Sequence, residues 1–135
     1  MQLNYAFLCD YANGGPRGKI NALGIGINTI FAPQVPYKLP HFHFVFELVA
    51  GITETGKKVV SVNLIDADGK TIVSASGELD IPKPRSGELE SRITGNIGFG
   101  NVEFPAYGLY SVHLTVAGIE MARLPLRVVE PPKTA

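Results

Sequence analysis

Apolar and polar residues alternate along most of the chain. Over Lys57 to Asp66, Val60, Val62 and Leu64 fall on one face while Ser61 and Asn63 fall on the other, the period of a half-buried strand. The next run repeats the plan, with Thr71, Val73, Ala75, Leu79 and Ile81 set against Ser74, Ser76, Glu78 and Asp80. Between the two lies Asp66-Ala67-Asp68-Gly69, whose residues tolerate turn geometry, so a hairpin is predicted. A second hairpin follows from Tyr110, Val112, Leu114 and Val116, a turn at Ala117-Gly118, and a closing strand in which Ala122, Leu124, Leu126 and Val128 share a face. Pro125 has the opposite parity in that strand and cannot donate to a ladder, which predicts an edge position or a bulge.

The earlier half is less regular. LNYAFLCDY reads as a first strand, ANGGPRG as a turn-rich connection, and GKINALGIGINTIFA as one long second strand. PQVPYKLP is expected to cross the surface, HFHFVFELVAGIT to form a third strand, and IPKPRSG to be a second proline-stiffened crossing. No run of ten residues keeps a helical period, so the class is all-β. About eight strands with two proline-rich crossings predict a two-sheet antiparallel β-sandwich, an immunoglobulin-like Greek key being favoured over a jelly roll. One domain is expected over 1–130, with a flexible tail over 131–135.

Charge narrows the functional classes. The chain of 135 residues has 12 basic and 12 acidic side chains, so no long-range field draws it to nucleic acid or anionic lipid. Only 18% of residues are charged and 45% are hydrophobic, which excludes disorder and leaves little repulsion between copies. Cys9 is the single cysteine, rules out an intrachain disulfide, and, next to Phe7 and Leu8, reads as a small buried hydrophobe in preference to a reactive thiol. No apolar run is long enough to span a membrane, and the first residues lack a signal-peptide pattern, so a cytoplasmic protein is expected.

The closest approach to a reactive constellation is HFHFVFEL at 41–48, where His41, His43 and Glu47 share one parity and Phe42, Phe44, Phe46 and Leu48 the other. Amphipathicity alone produces this pattern. A cupin-type metal site would need Glu47 to turn back toward His43, yet a straight strand separates them by about 13 Å and nothing in Phe44-Val45-Phe46 forms a turn. No metal and no cofactor is therefore expected. The glycines of LGIGINT are followed by no helix that would receive a pyrophosphate, so Gly24 and Gly26 are read as allowing close approach or a bulge. DADGK lacks the distal ligands of a calcium loop, and GNIGFGN at 95–101 is read as an irregular strand end. His113 and Ser111 share the polar parity, but no elbow or oxyanion signal joins them to an acid, and no catalytic residue is assigned. Tyr110 is expected to be a core residue with a tethered hydroxyl, and Tyr107 to lie in the turn before it.

CDYANGGPRGKINALGIG, INTIFAPQVP, LIDADGKTI and the ending FPAYGLYSVHLTVAGIEMARLPLRV resemble a family of small bacterial all-β proteins of unknown function. The resemblance covers nearly the whole chain and implies a fold, with no catalytic residue to carry over. The leading expectation is a non-enzymatic module that binds itself or another protein, with INTIF and LPLRVV as candidate apolar faces or open edges. A binder of small molecules or carbohydrates, with Tyr37, His41, His43 and Tyr107 lining a cleft, is the alternative, and a cupin-like metal-dependent enzyme the third.

Overall fold

The period-two runs become strands in the computed structural model, which describes residues 1–15 and 18–133. Pro16 and Arg17 of the turn-rich connection, and Thr134 and Ala135 of the expected tail, lie outside the described residues. The strands are β1 (Gln2–Cys9), β2 (Tyr11–Gly14), β3 (Ile20–Leu23), β4 (Thr29–Phe31), β5 (Tyr37–Gly51), β6 (Gly56–Asp66), β7 (Thr71–Ile81), β8 (Glu90–Phe104), β9 (Gly108–Val116) and β10 (Ile119–Val129). A 3-10 turn, Ile52–Glu54, joins β5 to β6. The fold is all-β, and among the described residues no helix is long and apolar enough to cross a membrane.

Among the described residues there are three sheets where two were expected. One has the order β1-β5-β8, a second β4-β10-β9-β6-β7, and a third is the hairpin β2-β3. The first two share one hydrophobic cluster, in which Phe42, Phe44, Phe46 and Leu48 of β5 join Val62 and Leu64 of β6, Val112 and Leu114 of β9, and Leu126 and Val128 of β10. Burying each such side chain contributes about 1.5–3 kcal/mol, so the alternation of these four strands holds the two sheets together. Both proline-rich crossings change sheets: 32–36 leads from β4 to β5, and 82–89 from β7 to β8.

Among the described residues the strands number ten where about eight were expected, because the long second strand breaks in two and Tyr11–Gly14, read as a strand end and a turn-rich connection, forms the separate strand β2. Gly24 and Gly26 take φ +68 and +100, and the Asp10 carboxylate occupies the place where a Cβ on Gly24 would stand, 2.0 Å from Oδ2. Only glycine admits that approach at positive φ. The chain leaves β3 there, is fastened by Gly26 N–H and Ile27 N–H donating to Leu8 C=O, and resumes as β4. β4 then pairs parallel with β10, Thr29 to Phe31 against Arg127 to Val129, so the sheet is not wholly antiparallel.

Three proline and glycine positions show how the ladder copes. β5 starts at Tyr37, inside the segment expected to be a surface crossing, and its register with β8 passes from Leu39↔Val102 to His41↔Gly100 across Pro40. β1 reaches β5 only from His43 onward, so Pro40 has no ladder bond to supply on that side. Pro125 lies in β10, an interior strand, but β4 begins only at Arg127, so β10 is locally an edge where the proline sits. LPLRVV is therefore covered by β4 over Arg127–Val129 and open on that side only over Leu124–Leu126, whereas β4, the INTIF strand, does end its sheet. At the β9–β10 turn, Ala117 and Gly118 have φ +50 and +80, as a tight two-residue hairpin requires. The Asp66 carboxylate accepts from Asp68 N–H at 3.0 Å and Lys70 N–H at 2.8 Å, closing the other hairpin without a calcium ligand set.

Candidate functional site

β5 delivers its polar parity to the outer face of the β1-β5-β8 sheet. That face is only partly wet. Val45 is buried there with Cys9 and Ala12, and Tyr5, Phe7, Ile20 and Ala22 pack around them, because the β2–β3 hairpin folds over the sheet. His41 stays exposed and His43 half-buried at the rim of this small second core.

The two imidazoles meet. Their Nε2 atoms are 2.9 Å apart, and the rings stand edge to face with centroids 4.7 Å apart. Tyr11, at the start of the hairpin, packs against both, stacked on His41 at 5.8 Å and edge-on to His43 at 5.3 Å. On the other side, His43 Nδ1 lies 2.8 Å from Asn96 Oδ1, while Asn96 Nδ2 donates to Ala12 C=O at 3.0 Å. Because the amide nitrogen is committed to a carbonyl, Oδ1 must be the acceptor, and His43 carries its hydrogen on Nδ1. Its Nε2 lone pair is then directed at His41.

Glycines make the room. In β8, Gly98 lies opposite His43, and a Cβ there would stand 3.1 Å from His43 Cε1; Gly100 lies opposite His41. Gly95 serves the other face, since a Cβ on it would stand 2.2 Å from Cζ of Phe46. The GNIGFGN run is therefore inside a fifteen-residue strand and not at its end, although the backbone is irregular at Asn101, which takes φ +53 opposite Pro40.

Glu47 does not join the histidines. Its carboxylate accepts from Asn4 Nδ2 at 2.6 Å, Arg92 Nη1 at 3.3 Å and the Thr94 hydroxyl at 3.4 Å. Tyr5 packs beside it, and burial, then the Glu47 charge, pushes the Tyr5 hydroxyl above its usual range. Among the described residues no group of three His, Cys, Asp or Glu side chains is placed to hold a metal ion. Of the four expected ligand-binding residues only His41 and His43 come together: Tyr37 lines a depression with Asn28 and Leu39, and Tyr107 another with Leu109 and Arg127. Tyr107 lies in the turn before β9, where its hydroxyl donates to Ala32 C=O at 2.8 Å. Tyr110 is buried, and its hydroxyl donates to Ala106 C=O at 2.6 Å, the tether read from the sequence.

A second polar chain crosses the outer face of β9 and β10. The Ser111 hydroxyl donates to His113 Nε2 at 2.6 Å, and His113 Nδ1 donates to Glu120 Oε1 at 2.6 Å. Arg123 grips both Glu120 oxygens at 3.2 and 3.3 Å. The hydrogen bond from His113, then that from Arg123, holds the Glu120 carboxyl below its ordinary range. The order is that of a nucleophile, base and orienting acid. However, Ser111 sits in mid-ladder between Ile65 and Pro125, and its backbone lies in a two-sided ladder rather than at the sharp turn that exposes a nucleophile.

The third feature lies between the sheets. A cleft of about 330 Å³ opens where the edges of β7 and β8 face each other, walled by Phe46, Val60, Ala75, Leu79, Gly95 and Ile97. Its lining is mostly apolar.

Fold and surface together define a small all-β domain with clefts, polar clusters and open strand edges. Residues 4–129 match the family of unknown function DUF6941, and the chain belongs to that family. No curated protein matches it.

Proposed function

We propose that the protein is a non-enzymatic interaction module, cytoplasmic, whose β7 edge pairs with the same edge of a second copy. In this reading the three- and five-stranded sheets are the layers of an immunoglobulin-like sandwich, which their shared core and the Tyr110 tether support. The observation that carries the function is the state of β7. It ends the five-stranded sheet, runs for eleven residues, and keeps an unbroken register with β6 from Val73 to Ile81.

Strand edges are normally blunted by proline, lysine, bulges or shortness. β4 is blunted by its length of three residues, and β1 by a register shift between Leu3 and Tyr5. From Val73 to Ile81, β7 holds neither proline nor lysine. Antiparallel pairing of two β7 strands about Ser76 sets Glu78 opposite Ser74 and Asp80 opposite Ile72, so no carboxylate faces another. The zero net charge of the chain removes long-range repulsion between copies. Such a contact joins two five-stranded sheets into one across a two-fold axis.

Sedimentation velocity over a wide concentration range tests it. The expected result is a monomer–dimer equilibrium that Gly77→Lys abolishes, a Cβ at Gly77 meeting nothing within 4 Å. A wild-type protein that stays monomeric throughout, or a dimer indifferent to Gly77→Lys, overturns the proposal.

A further inference from the structure

We infer that His41 and His43 form a two-nitrogen chelate for a divalent transition ion of the copper or nickel type, independent of the β7 edge. Two nitrogens each about 2.0–2.1 Å from one ion stand about 2.9 Å apart when they bind at a right angle and about 3.3 Å apart at the tetrahedral angle. The observed Nε2–Nε2 separation is 2.9 Å, the right-angle bite, which suits tetragonal or octahedral ions before zinc.

The ring geometry agrees. Two imidazoles hydrogen-bonded head on at this separation would have their centroids further apart than the observed 4.7 Å, so the nitrogens meet at an angle. The interplanar angle of 71° sets one ring across the other, as in a pair of cis ligands.

Asn96 supplies the outer contact that metal-binding histidines use. By accepting from Nδ1 it fixes the ring and leaves Nε2 as the donor atom. It is itself held by Ala12 C=O in the hairpin, so the tautomer is built into the packing of β2 on the sheet. His41 needs only to move its hydrogen from Nε2 to its Nδ1, on an exposed side chain. Gly98 leaves His43 its place against β8. Because His41 is exposed, water can supply exchangeable ligands to complete the shell.

Untagged protein stripped with a chelator and titrated with Cu²⁺ provides the test, read by calorimetry and by the nitrogen hyperfine pattern in electron paramagnetic resonance. One equivalent bound through two imidazole nitrogens is expected, with binding order Cu²⁺, then Ni²⁺, then Zn²⁺. His41→Ala and His43→Ala should each abolish the two-nitrogen spectrum while thermal unfolding shows both variants folded. Asn96→Leu should weaken binding by about 10–100-fold. Failure to bind one equivalent, survival of the spectrum in either histidine variant, or its loss in His113→Ala overturns the inference. None of these outcomes depends on the oligomeric state.

Discussion

Replacing Gly95 with alanine sets a methyl group into the ring of Phe46. The new carbon would stand 2.2 Å from Cζ and 2.3 Å from Cε1, while non-bonded carbons need about 3.5–4.0 Å. Ring or strand must therefore yield by well over an ångström. The strand does not do so freely, since Gly95 is locked opposite Phe46 in the β5–β8 ladder; the Phe46 ring, 1% exposed and with the Phe44 ring 5.7 Å away, has room only toward the cleft that both residues wall. Overpacking of this kind costs about 1–3 kcal/mol, and the relief of glycine's backbone entropy in a strand returns about 0.5–1 kcal/mol. A net loss of roughly 1 kcal/mol corresponds to a fall in Tm of about 3–5 °C for a domain of this size. Urea unfolding of the wild type, Gly95→Ala, Phe46→Leu and the double variant measures it. The methyl should cost less once the ring is gone, with a coupling of at least about 1 kcal/mol between the two sites. Additive effects, or a Gly95→Ala protein as stable as the wild type, would refute the steric argument.

Tyr110→Phe removes the hydroxyl that bridges Ala106 C=O and N–H, and should cost about 1–2 kcal/mol in chemical denaturation; no change would deny the tether a role. Glu120 titrates lower in the folded state than its ordinary value of 4.5, so its contribution is complete above that value and is lost as pH falls through the lower folded one. The stability gap between wild type and Glu120→Gln should therefore narrow on acidification below about pH 4.5, and a gap that widens there contradicts the His113 and Arg123 contacts. Cys9 is fully buried, and burial, followed by the Asp10 charge, pushes its thiol up. Labelling by a disulfide reagent should proceed only as fast as the protein opens, and rapid stoichiometric reaction in native buffer would contradict that burial.

Strand identity was legible wherever one face is buried and the other wet. β5 is the clearest case: the parity of Phe42, Phe44, Phe46 and Leu48 named the core, and Glu47 stayed away from the histidines as a straight strand demands. The meeting of His41 with His43 was not legible, because it depends on where side chains lean and on Gly98 across the sheet. Asn96 lies 53 residues from His43 in sequence, and no local pattern pairs them. Tyr11 carried a strand-end signal only; its place over the imidazoles follows from the hairpin folding onto the outer face, a packing that period-two alternation does not encode. The glycines of β8 were ambiguous for a physical reason. A missing side chain marks a bend in one setting and a seat for a neighbour's ring in another, and only the partner strand tells which.

The parallel pairing of Thr29–Phe31 with Arg127–Val129 has a kinetic implication. During synthesis at about 5–20 residues per second, roughly 5–20 s pass between the appearance of β4 and that of its ladder partner β10. Through that interval Ile30, destined for the interior, has to wait without its permanent neighbour, and the last strand to emerge is the one that fastens an early one.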